Sequence, residues 1–314
     1  ALLDRLTPNR LPRKSGGICL THLLNRRGRI EIEVTIVRLA PDRFYLVCAA
    51  FFEQRLLDYL ASHRTADRVE FTNRSYDWNA LTINGPRSRD VLGSCTDSAL
   101  DNASFRWMSA QEISLAGNKV WAMRMSYAGE LGWELHGARE HMPAIYDALW
   151  AAGEVHGMAD YGSFTMNALR MEKMFKGAGE LTNEVTLPEA DVMRFVKMDK
   201  DFFGKQLTRA SMDNALPWTC AYLEIEPDGA WDGNGGEAVR LDGRIVGSTA
   251  SVAFGHTVGK ILAFAYVKPL AARPGTALEV LFNEKWRRAT VAGEPAYDPQ
   301  NLKPRTDAME AAAR

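Results

Sequence analysis

Apolar and polar side chains alternate through residues 28–39, as they do along a strand that buries one face. One face would carry Ile30, Ile32, Val34 and Ile36, and the other Glu31, Glu33 and Thr35. A turn at residues 41–43 leads to a second apolar run at residues 44–48, so the region is predicted to form a β-hairpin. The helical spacing of apolar residues over 51–63 predicts a helix directly after it.

The remaining pattern divides the chain into a mixed part and an all-β part. Before residue 216, predicted strands at 80–83 and 120–125 are interspersed with helices predicted at 1–6, 87–92, 141–152 and 163–176. After it, apolar runs separated by glycine turns predict strands at 219–225, 238–241, 244–247, 261–267, 277–282 and 288–291. The chain is therefore predicted to be α+β, with a small barrel-like domain at its C-terminal end.

The segment Ser-Tyr-Ala-Gly-Glu-Leu-Gly-Trp-Glu-Leu-His, residues 126–136, is the strongest candidate for a ligand site. It follows a predicted buried strand, and Gly129 and Gly132 allow a backbone turn that can approach a ligand closely. The carboxylate of Glu130 or Glu134 could accept paired N–H bonds from a planar heterocycle such as a pterin, with Tyr127 as a stacking face. From the pattern alone, a hairpin whose glutamates point to water is an equally good interpretation.

Three further residues are weaker candidates. Glu33 and Thr35 share the polar face of one predicted strand and could line a cavity, where a glutamate suits a general base. An ordinary solvent-facing strand position is the commoner outcome for such a glutamate. Arg170 could direct its guanidinium at a ligand carboxylate, although an ion-paired helix surface shared with Glu172 is the commoner arrangement.

Composition excludes several classes of protein. The 314 residues include 38 Lys and Arg against 39 Asp and Glu, so no net charge favours nucleic acid or a membrane surface. The four cysteines form no C-x-x-C pair and the six histidines no H-E-x-x-H motif, which predicts no metal site and no disulfide framework. Without a Gly-x-Gly-x-x-Gly or P-loop motif, the chain is not expected to bind a flavin or nicotinamide itself.

Several motifs occur together in one order along the chain, and in combination they resemble the glycine-cleavage T-protein superfamily of folate-dependent aminomethyltransferases. Within that superfamily the resemblance is to the folate-binding C-terminal half of dimethylglycine and sarcosine dehydrogenases and oxidases. It extends from Leu2 to about Pro299. The motifs are Leu-Asp-Arg-Leu-Thr at 3–7, Gly-Pro-Arg-Ser-Arg at 85–89, the 126–135 segment, Asn-Ala-Leu-Arg-Met-Glu-Lys at 167–173, Asp-Phe-Phe-Gly-Lys at 201–205, Gly-His-Thr-Val-Gly-Lys at 255–260 and Glu-Pro-x-Tyr-Asp-Pro at 294–299.

The resemblance implies a T-protein-like fold of three subdomains around a folate channel, including a ferredoxin-like subdomain and a C-terminal β-barrel. Residues 1–215 would form the aminomethyltransferase-type folate-binding domain, as two interleaved subdomains with an N-terminal part missing. Residues 216–305 would form the barrel. The first helix begins without an N-capping residue, so we also expect the parent protein to have residues before Ala1.

The resemblance also assigns roles to particular residues. Glu134 would hold the pterin, and Tyr127 would lie beside it, separating Glu134 from Glu130. Glu33 would be the catalytic base that activates a tetrahydrofolate nitrogen. Further cofactor-binding positions would be Thr35, Leu135, His136, Phe195 and Arg170.

Three departures from the family pattern bear on function. Met166 replaces an arginine of the glycine-cleavage proteins, which argues against a lipoyl-protein partner. Phe195 replaces a tyrosine of dimethylglycine dehydrogenase, so a hydroxyl near the pterin is lost. Asp191 stands where relatives carry glycine, in a turn.

The implied function is half of a demethylation. Tetrahydrofolate bound here would capture an iminium or formaldehyde, derived from a methylated amine such as dimethylglycine or sarcosine, as 5,10-methylenetetrahydrofolate. FAD is expected only in a missing N-terminal domain or a partner chain, and no nucleic-acid or membrane partner is expected. The compartment would be the bacterial cytoplasm or the mitochondrial matrix. A tetrahydrofolate-dependent demethylase or methyltransferase acting on another O-, S- or N-oxide methyl donor and a non-catalytic folate-binding protein remain alternatives.

Overall fold

The computed structural model describes residues 1–229, 231 and 233–306. Three β structures organise them, namely a three-stranded sheet, a four-stranded sheet and a closed barrel. Among the described residues, no helix combines the length and the apolar character needed to cross a membrane.

The first sheet is antiparallel with the order β1-β2-β3, and helices α1 and α2 belong to the same region. Apolar side chains of β2 pack under α2 and form a core with Leu56 and Leu60. The predicted hairpin and helix are therefore confirmed. The bounds are α1 (Leu2–Leu6), β1 (Ile18–Leu24), β2 (Ile30–Ala40), β3 (Arg43–Val47) and α2 (Glu53–His63).

A β-bulge corrects the predicted faces of β2. The register shifts between Leu23 and Leu24, so that Leu23 pairs with Ile32 and Leu24 with Ile30. A bulge adds one residue to one strand and turns the flanking side chains relative to each other. Glu31 consequently reaches α2, where it lies 3.6 Å from Arg55. Ile30 joins a separate core, away from Ile32, so the predicted continuous apolar face of β2 is wrong at this end.

The second sheet is fully antiparallel with the order β4-β7-β6-β5, and it lies where the resemblance placed the ferredoxin-like subdomain. Helices α3 and α4 cover one face through a core that includes Val91, Leu92, Ile145 and Leu149. The opposite face packs against the first sheet. The bounds are β4 (Trp78–Asn84), α3 (Ser88–Gly93), β5 (Ser109–Leu115), β6 (Asn118–Arg124), β7 (Gly132–Ala138) and α4 (Met142–Gly153).

The third structure is a closed barrel with the order β10-β11-β8-β13-β12-β9, as the sequence predicted. Helix α5 lies against its outside through Ala168 and Met171, and the Tyr222 hydroxyl donates to the Met171 carbonyl at 2.7 Å. The bounds are α5 (Ser163–Glu172), α6 (Lys205–Asp213), β8 (Thr219–Ile225), β9 (Ala238–Leu241), β10 (Arg244–Gly255), β11 (Lys260–Val267), β12 (Ala277–Phe282) and β13 (Lys285–Ala292). Strand β10 is longer than predicted because its second half pairs with β11.

Candidate functional site

The site lies where the inner faces of the two sheets meet. At one end the faces are sealed by an apolar cluster that includes Val37 of β2 and Met123 of β6. Side chains two residues apart on a strand share a face, so Thr35 and Glu33 continue the inner face of β2 away from this seal. On the second sheet Glu134 is the β7 partner of Met123. Polar side chains of both sheets therefore lie on the same side of this apolar cluster.

The Glu134 side chain is held by a chain of polar contacts across the two sheets. Its Oε2 lies 3.2 Å from Nε2 of His136, whose exposed side-chain fraction is only 4%. The other ring nitrogen of His136, Nδ1, lies 3.1 Å from the Tyr45 hydroxyl of β3. Burial, and then the nearby Glu134 carboxylate, raise the pKa of Tyr45 to about 12. His136 thus supports Glu134 from behind, and Glu134 keeps 22% of its side chain exposed.

Leu135 does not face the site. Neighbouring residues on a strand point to opposite faces, and the Leu135 side chain lies, with no exposed area, in the core under α3 and α4. A cofactor contact at Leu135 stays a prediction, and it would be made through backbone atoms.

Glu33 has a buried histidine as its neighbour. His22 of β1 is the direct cross-strand partner of Glu33, and its Nε2 lies 3.4 Å from Glu33 Oε1. The histidine side chain is 1% exposed, whereas that of Glu33 is 31% exposed. The Phe195 ring packs 5.7 Å from the His22 ring, between centroids, which brings the predicted Phe195 to the same corner of the site.

Tyr127 contacts the 175–180 segment, and the charge of Glu33 affects its pKa. Its hydroxyl donates to the Lys176 carbonyl at 3.0 Å, and its ring stacks on Phe175 with centroids 6.1 Å apart. Burial raises the pKa of Tyr127, Arg170 opposes that rise, and the carboxylates of Glu33 and Glu180 add to it. Glu33 is thus close enough to Tyr127 for its charge to affect the pKa of the tyrosine hydroxyl.

Arg170 is engaged by protein partners. Its Nη1 donates to Glu180 Oε2 at 2.9 Å and to the Phe175 carbonyl at 3.0 Å, while Nε donates to Asn167 at 3.0 Å. Arg170 is 5% exposed and Glu172 2% exposed, so the interpretation as a helix surface is wrong for both. Direct ligand binding by Arg170 stays a prediction, and these contacts favour a supporting role under Tyr127.

Glu130 and Glu134 have different environments, although they are four residues apart. The Tyr297 hydroxyl donates to Glu130 Oε1, and the Lys303 ammonium lies 3.7 Å from the same oxygen. Glu130 therefore fastens the C-terminal segment to the turn. Gly129 lies over Lys173 in a left-handed conformation with φ +79°, and a Cβ there would come within 2.1 Å of the Lys173 side chain. The lack of a side chain at Gly129 therefore allows Lys173 to pack closely against this turn.

Asp191 occupies a turn in the left-handed conformation, with φ +52°. Glycine adopts this conformation freely, and aspartate is among the few other residues that tolerate it. The backbone geometry is therefore one that suits glycine, and here aspartate adopts it.

The side chains at the site fit a pterin. A planar ring with adjacent N–H groups can pair with a carboxylate acceptor, and Glu134 offers one, 22% exposed, on a rigid strand. Aromatic faces are present at Tyr127 and Phe195. No group of three or more His, Cys, Asp or Glu residues within the described ranges has the arrangement of a metal site.

Sequence reasoning missed two residues next to the site, His22 and Tyr45. His22 lies in a short apolar run that was not assigned to a strand, although pairing it through the Gly28 turn would have placed it opposite Glu33. Tyr45 was assigned to a strand, but its contact with His136 depends on how two sheets pack, and no local pattern reports that.

Two family descriptions match the chain. Residues 1–200 match the GCVT N-terminal domain, and residues 219–298 match the glycine cleavage T-protein C-terminal barrel domain. A crystal structure of the glycine cleavage system aminomethyltransferase T from Bartonella henselae superimposes with a TM-score of 0.81 at 22% identity, over 95% of this chain and 81% of that one. The predicted T-protein-like fold is confirmed.

Curated relatives include both dehydrogenases and aminomethyltransferases. Human mitochondrial dimethylglycine dehydrogenase is 34% identical over 299 residues, which are 94% of this chain and 34% of that protein. Mouse mitochondrial sarcosine dehydrogenase is 29% identical, over 92% of this chain and 34% of its own length. A probable aminomethyltransferase of Thermococcus kodakarensis is 26% identical, over 89% of this chain and 77% of that protein.

The chain thus spans about a third of the length of the dehydrogenases it matches. With both family descriptions matched in order and the fold superimposed along nearly its whole length, the chain belongs to the glycine-cleavage T-protein family of folate-dependent aminomethyltransferases.

Proposed function

We propose that this chain binds tetrahydrofolate between its two sheets and captures a one-carbon unit as 5,10-methylenetetrahydrofolate. The carbon would arrive as an iminium or as formaldehyde from a methylated amine such as dimethylglycine or sarcosine. One observation carries the proposal: Glu33 and Glu134 are half-exposed carboxylates on the inner faces of two different sheets, and each has a buried histidine as its neighbour. In this proposal the Glu134 carboxylate anchors the folate, and the Glu33 carboxylate takes part in the reaction.

Each residue has a distinct task in this proposal. Glu134 accepts two N–H bonds from the pterin edge, and His136 and Tyr45 keep its carboxylate in place. Bound tetrahydrofolate supplies the nitrogens that accept the carbon. Glu33 takes up the proton that the first nitrogen loses as it bonds to the carbon. When the second nitrogen closes the ring, the amine of the iminium leaves as the free amine, or the oxygen of formaldehyde leaves as water. Thr35 and Tyr127 border the same space. Holding tetrahydrofolate in one pose raises its effective concentration near the incoming carbon. This proximity is expected to supply much of the rate acceleration, together with proton transfer to Glu33.

The oxidative half-reaction is proposed to occur elsewhere. Two of the similar proteins are named dehydrogenases and are about three times the length matched here. An FAD-containing domain or partner chain would oxidise the N-methyl group and deliver the carbon. The proposed compartment is the mitochondrial matrix or the bacterial cytoplasm.

A second candidate is a plain aminomethyltransferase, because the Thermococcus protein is similar over most of both chains. The methionine at position 166 opposes a lipoyl-protein partner, since it supplies no positive charge there. A demethylase for another methyl donor would release 5-methyltetrahydrofolate, so product analysis separates it from the main proposal. In a non-catalytic folate-binding protein, Glu33 would be dispensable.

The substitution Glu33→Gln tests the proposed base. Glutamine keeps the size and the hydrogen-bonding capacity of the side chain but cannot take up a proton. With formaldehyde as the carbon donor and the uncatalysed rate subtracted, we expect about a 100-fold or greater loss of 5,10-methylenetetrahydrofolate formation, within the usual range for general bases. The affinity for tetrahydrofolate should stay within about threefold of the wild type. Such a change is smaller than the contribution of one hydrogen bond to a charged group. Unchanged product formation would reject the role of Glu33.

A further inference from the structure

A buried, unpartnered nitrogen lies directly behind the proposed base. His22 is 1% exposed, and its Nε2 has no hydrogen-bond partner among the described residues. The nearest carboxylate oxygen is Glu33 Oε1 at 3.4 Å. A buried polar group without a partner costs roughly 1–3 kcal/mol, so a nitrogen in this place requires an explanation.

Glu33 can supply the missing partner with a small movement. Its carboxylate lies at the end of a flexible side chain that is 31% exposed, whereas the His22 ring is enclosed by the β1–β2 pairing and by the Phe195 ring. The present 3.4 Å exceeds the usual N–H···O distance of about 2.7–3.2 Å by only a few tenths of an ångström. Rotation of the carboxylate would close the gap.

We propose that His22 is a positioning residue for Glu33. Its Nε2–H donates to one carboxylate oxygen and leaves the other oxygen directed at the reacting nitrogen. This inference rests on the proposed function, because it assigns His22 the task of orienting the base named there. A carboxylate that rotates freely is aligned for proton transfer only part of the time, so fixing it increases the rate without adding binding energy.

The same arrangement occurs at the other carboxylate of the site. His136 approaches Glu134 through Nε2 at 3.2 Å, and Tyr45 lies at its Nδ1. With the tyrosine donating to Nδ1, the proton of a neutral ring resides on Nε2, where it faces the carboxylate. A buried histidine that offers Nε2 to a half-exposed glutamate is therefore used twice, once at each of the proposed functional carboxylates.

Two substitutions of His22 distinguish orientation from packing. His22→Leu keeps an apolar side chain of similar bulk but removes the donor, and His22→Gln retains an N–H near the position of Nε2. We expect kcat of His22→Leu to fall about 10-fold to 100-fold, the scale of a misplaced catalytic group. Its tetrahydrofolate Kd should stay within about threefold, since Glu134 is untouched. His22→Gln should recover most of kcat.

Unchanged kcat in His22→Leu would overturn the proposal, as would a His22→Gln variant no better than His22→Leu. Loss of tetrahydrofolate binding in both variants would also overturn it, because His22 would then shape the pocket. Thermal unfolding of each variant identifies a folding defect. The glutamine variant keeps the test decisive if the leucine variant does not fold.

The double variant Glu33→Gln, His22→Leu separates this inference from the proposed function. If His22 acts through Glu33, the double variant loses no more activity than Glu33→Gln alone. Full additivity of the two losses would contradict the inference and leave the role of Glu33 intact. Failure of the wild-type protein to bind tetrahydrofolate or to accelerate product formation would instead refute the proposed function.

Discussion

The guanidinium of Arg170 lies 2.9 Å from the carboxylate of Glu180, and the two side chains are 6% and 0% exposed. The same carboxylate accepts a hydrogen bond from the Gly177 backbone N–H at 2.7 Å. One buried ion pair therefore holds the end of α5 against the segment that supports Tyr127. The arrangement links stability directly to the shape of the proposed folate site.

Removing one member of this pair should be costly. Glu180→Ala leaves the Arg170 charge buried without its partner, so the free energy of unfolding should fall by about 3–5 kcal/mol in urea denaturation. Glu112→Ala is the control, because the ion pair of Glu112 with Lys119 is 47% and 81% exposed and should contribute less than about 1 kcal/mol. Equal effects of the two substitutions would contradict the assignment of a buried pair.

Gly129 of the 126–136 segment can be compared with Gly117, which lies outside that segment in the turn between β5 and β6. Gly129 and Gly117 have nearly equal φ angles of +79° and +78°, but only Gly129 has a neighbour that a Cβ would strike. Gly117→Ala should cost about 1–2 kcal/mol from the backbone conformation alone. Gly129→Ala should cost clearly more, because it also displaces Lys173 from Asp298, a contact of 3.0 Å. The denaturation midpoints of the two variants measure this difference. Similar losses of stability would contradict the prediction, because Lys173 would then move aside at no cost.

Much of the fold was predictable from the alternation of apolar residues. The β2–β3 hairpin, the helices at 53–63 and 142–153 and the six barrel strands all have strong local patterns. Strands β1 and β5 were missed, because their sequences show no clean alternation and only pairing partners make them strands. The bulge beside Glu31 was also missed, since a one-residue change of register has no local signal at this position.

The candidate site was predictable only in part. Glu33 and Thr35 stood out as the polar face of an alternating strand, and Glu134 stood out as a carboxylate beside a glycine turn. The contact of Tyr45 with His136 depends on the packing of two sheets that are distant in sequence, so no motif could report it. The burial of Arg170 likewise follows from Glu180, ten residues later along the chain.

The link between Tyr45 and the site should appear in alkaline unfolding. Its pKa is raised from 10.0 to about 12 by burial and by Glu134, so the folded state holds the phenolic proton longer than the unfolded state does. The stabilising contribution is complete below pH 10 and is lost as the pH rises from 10 to about 12, at up to about 1.4 kcal/mol per pH unit.

Tyr45→Phe should remove that part of the pH dependence. The free energy of unfolding of the variant, measured in urea from pH 8 to 12, should decrease less steeply above pH 10 than that of the wild type. Below pH 10 the two curves should run parallel, separated by about 1 kcal/mol for the lost contact with His136. Curves that stay parallel through pH 12 would contradict the perturbed tyrosine.

The central claim, that Glu134 anchors a pterin while Glu130 fastens a turn, is tested most directly by calorimetric titration of tetrahydrofolate into two variants. Glu134→Ala removes two hydrogen bonds to a charged acceptor, each contributing about 1.5–3 kcal/mol, and should weaken binding by about 100-fold or more. Glu130→Ala, which loses only its contacts with Tyr297 and Lys303, should keep an affinity within about threefold of the wild type. Retained affinity in Glu134→Ala, or equal losses in both variants, would contradict the account.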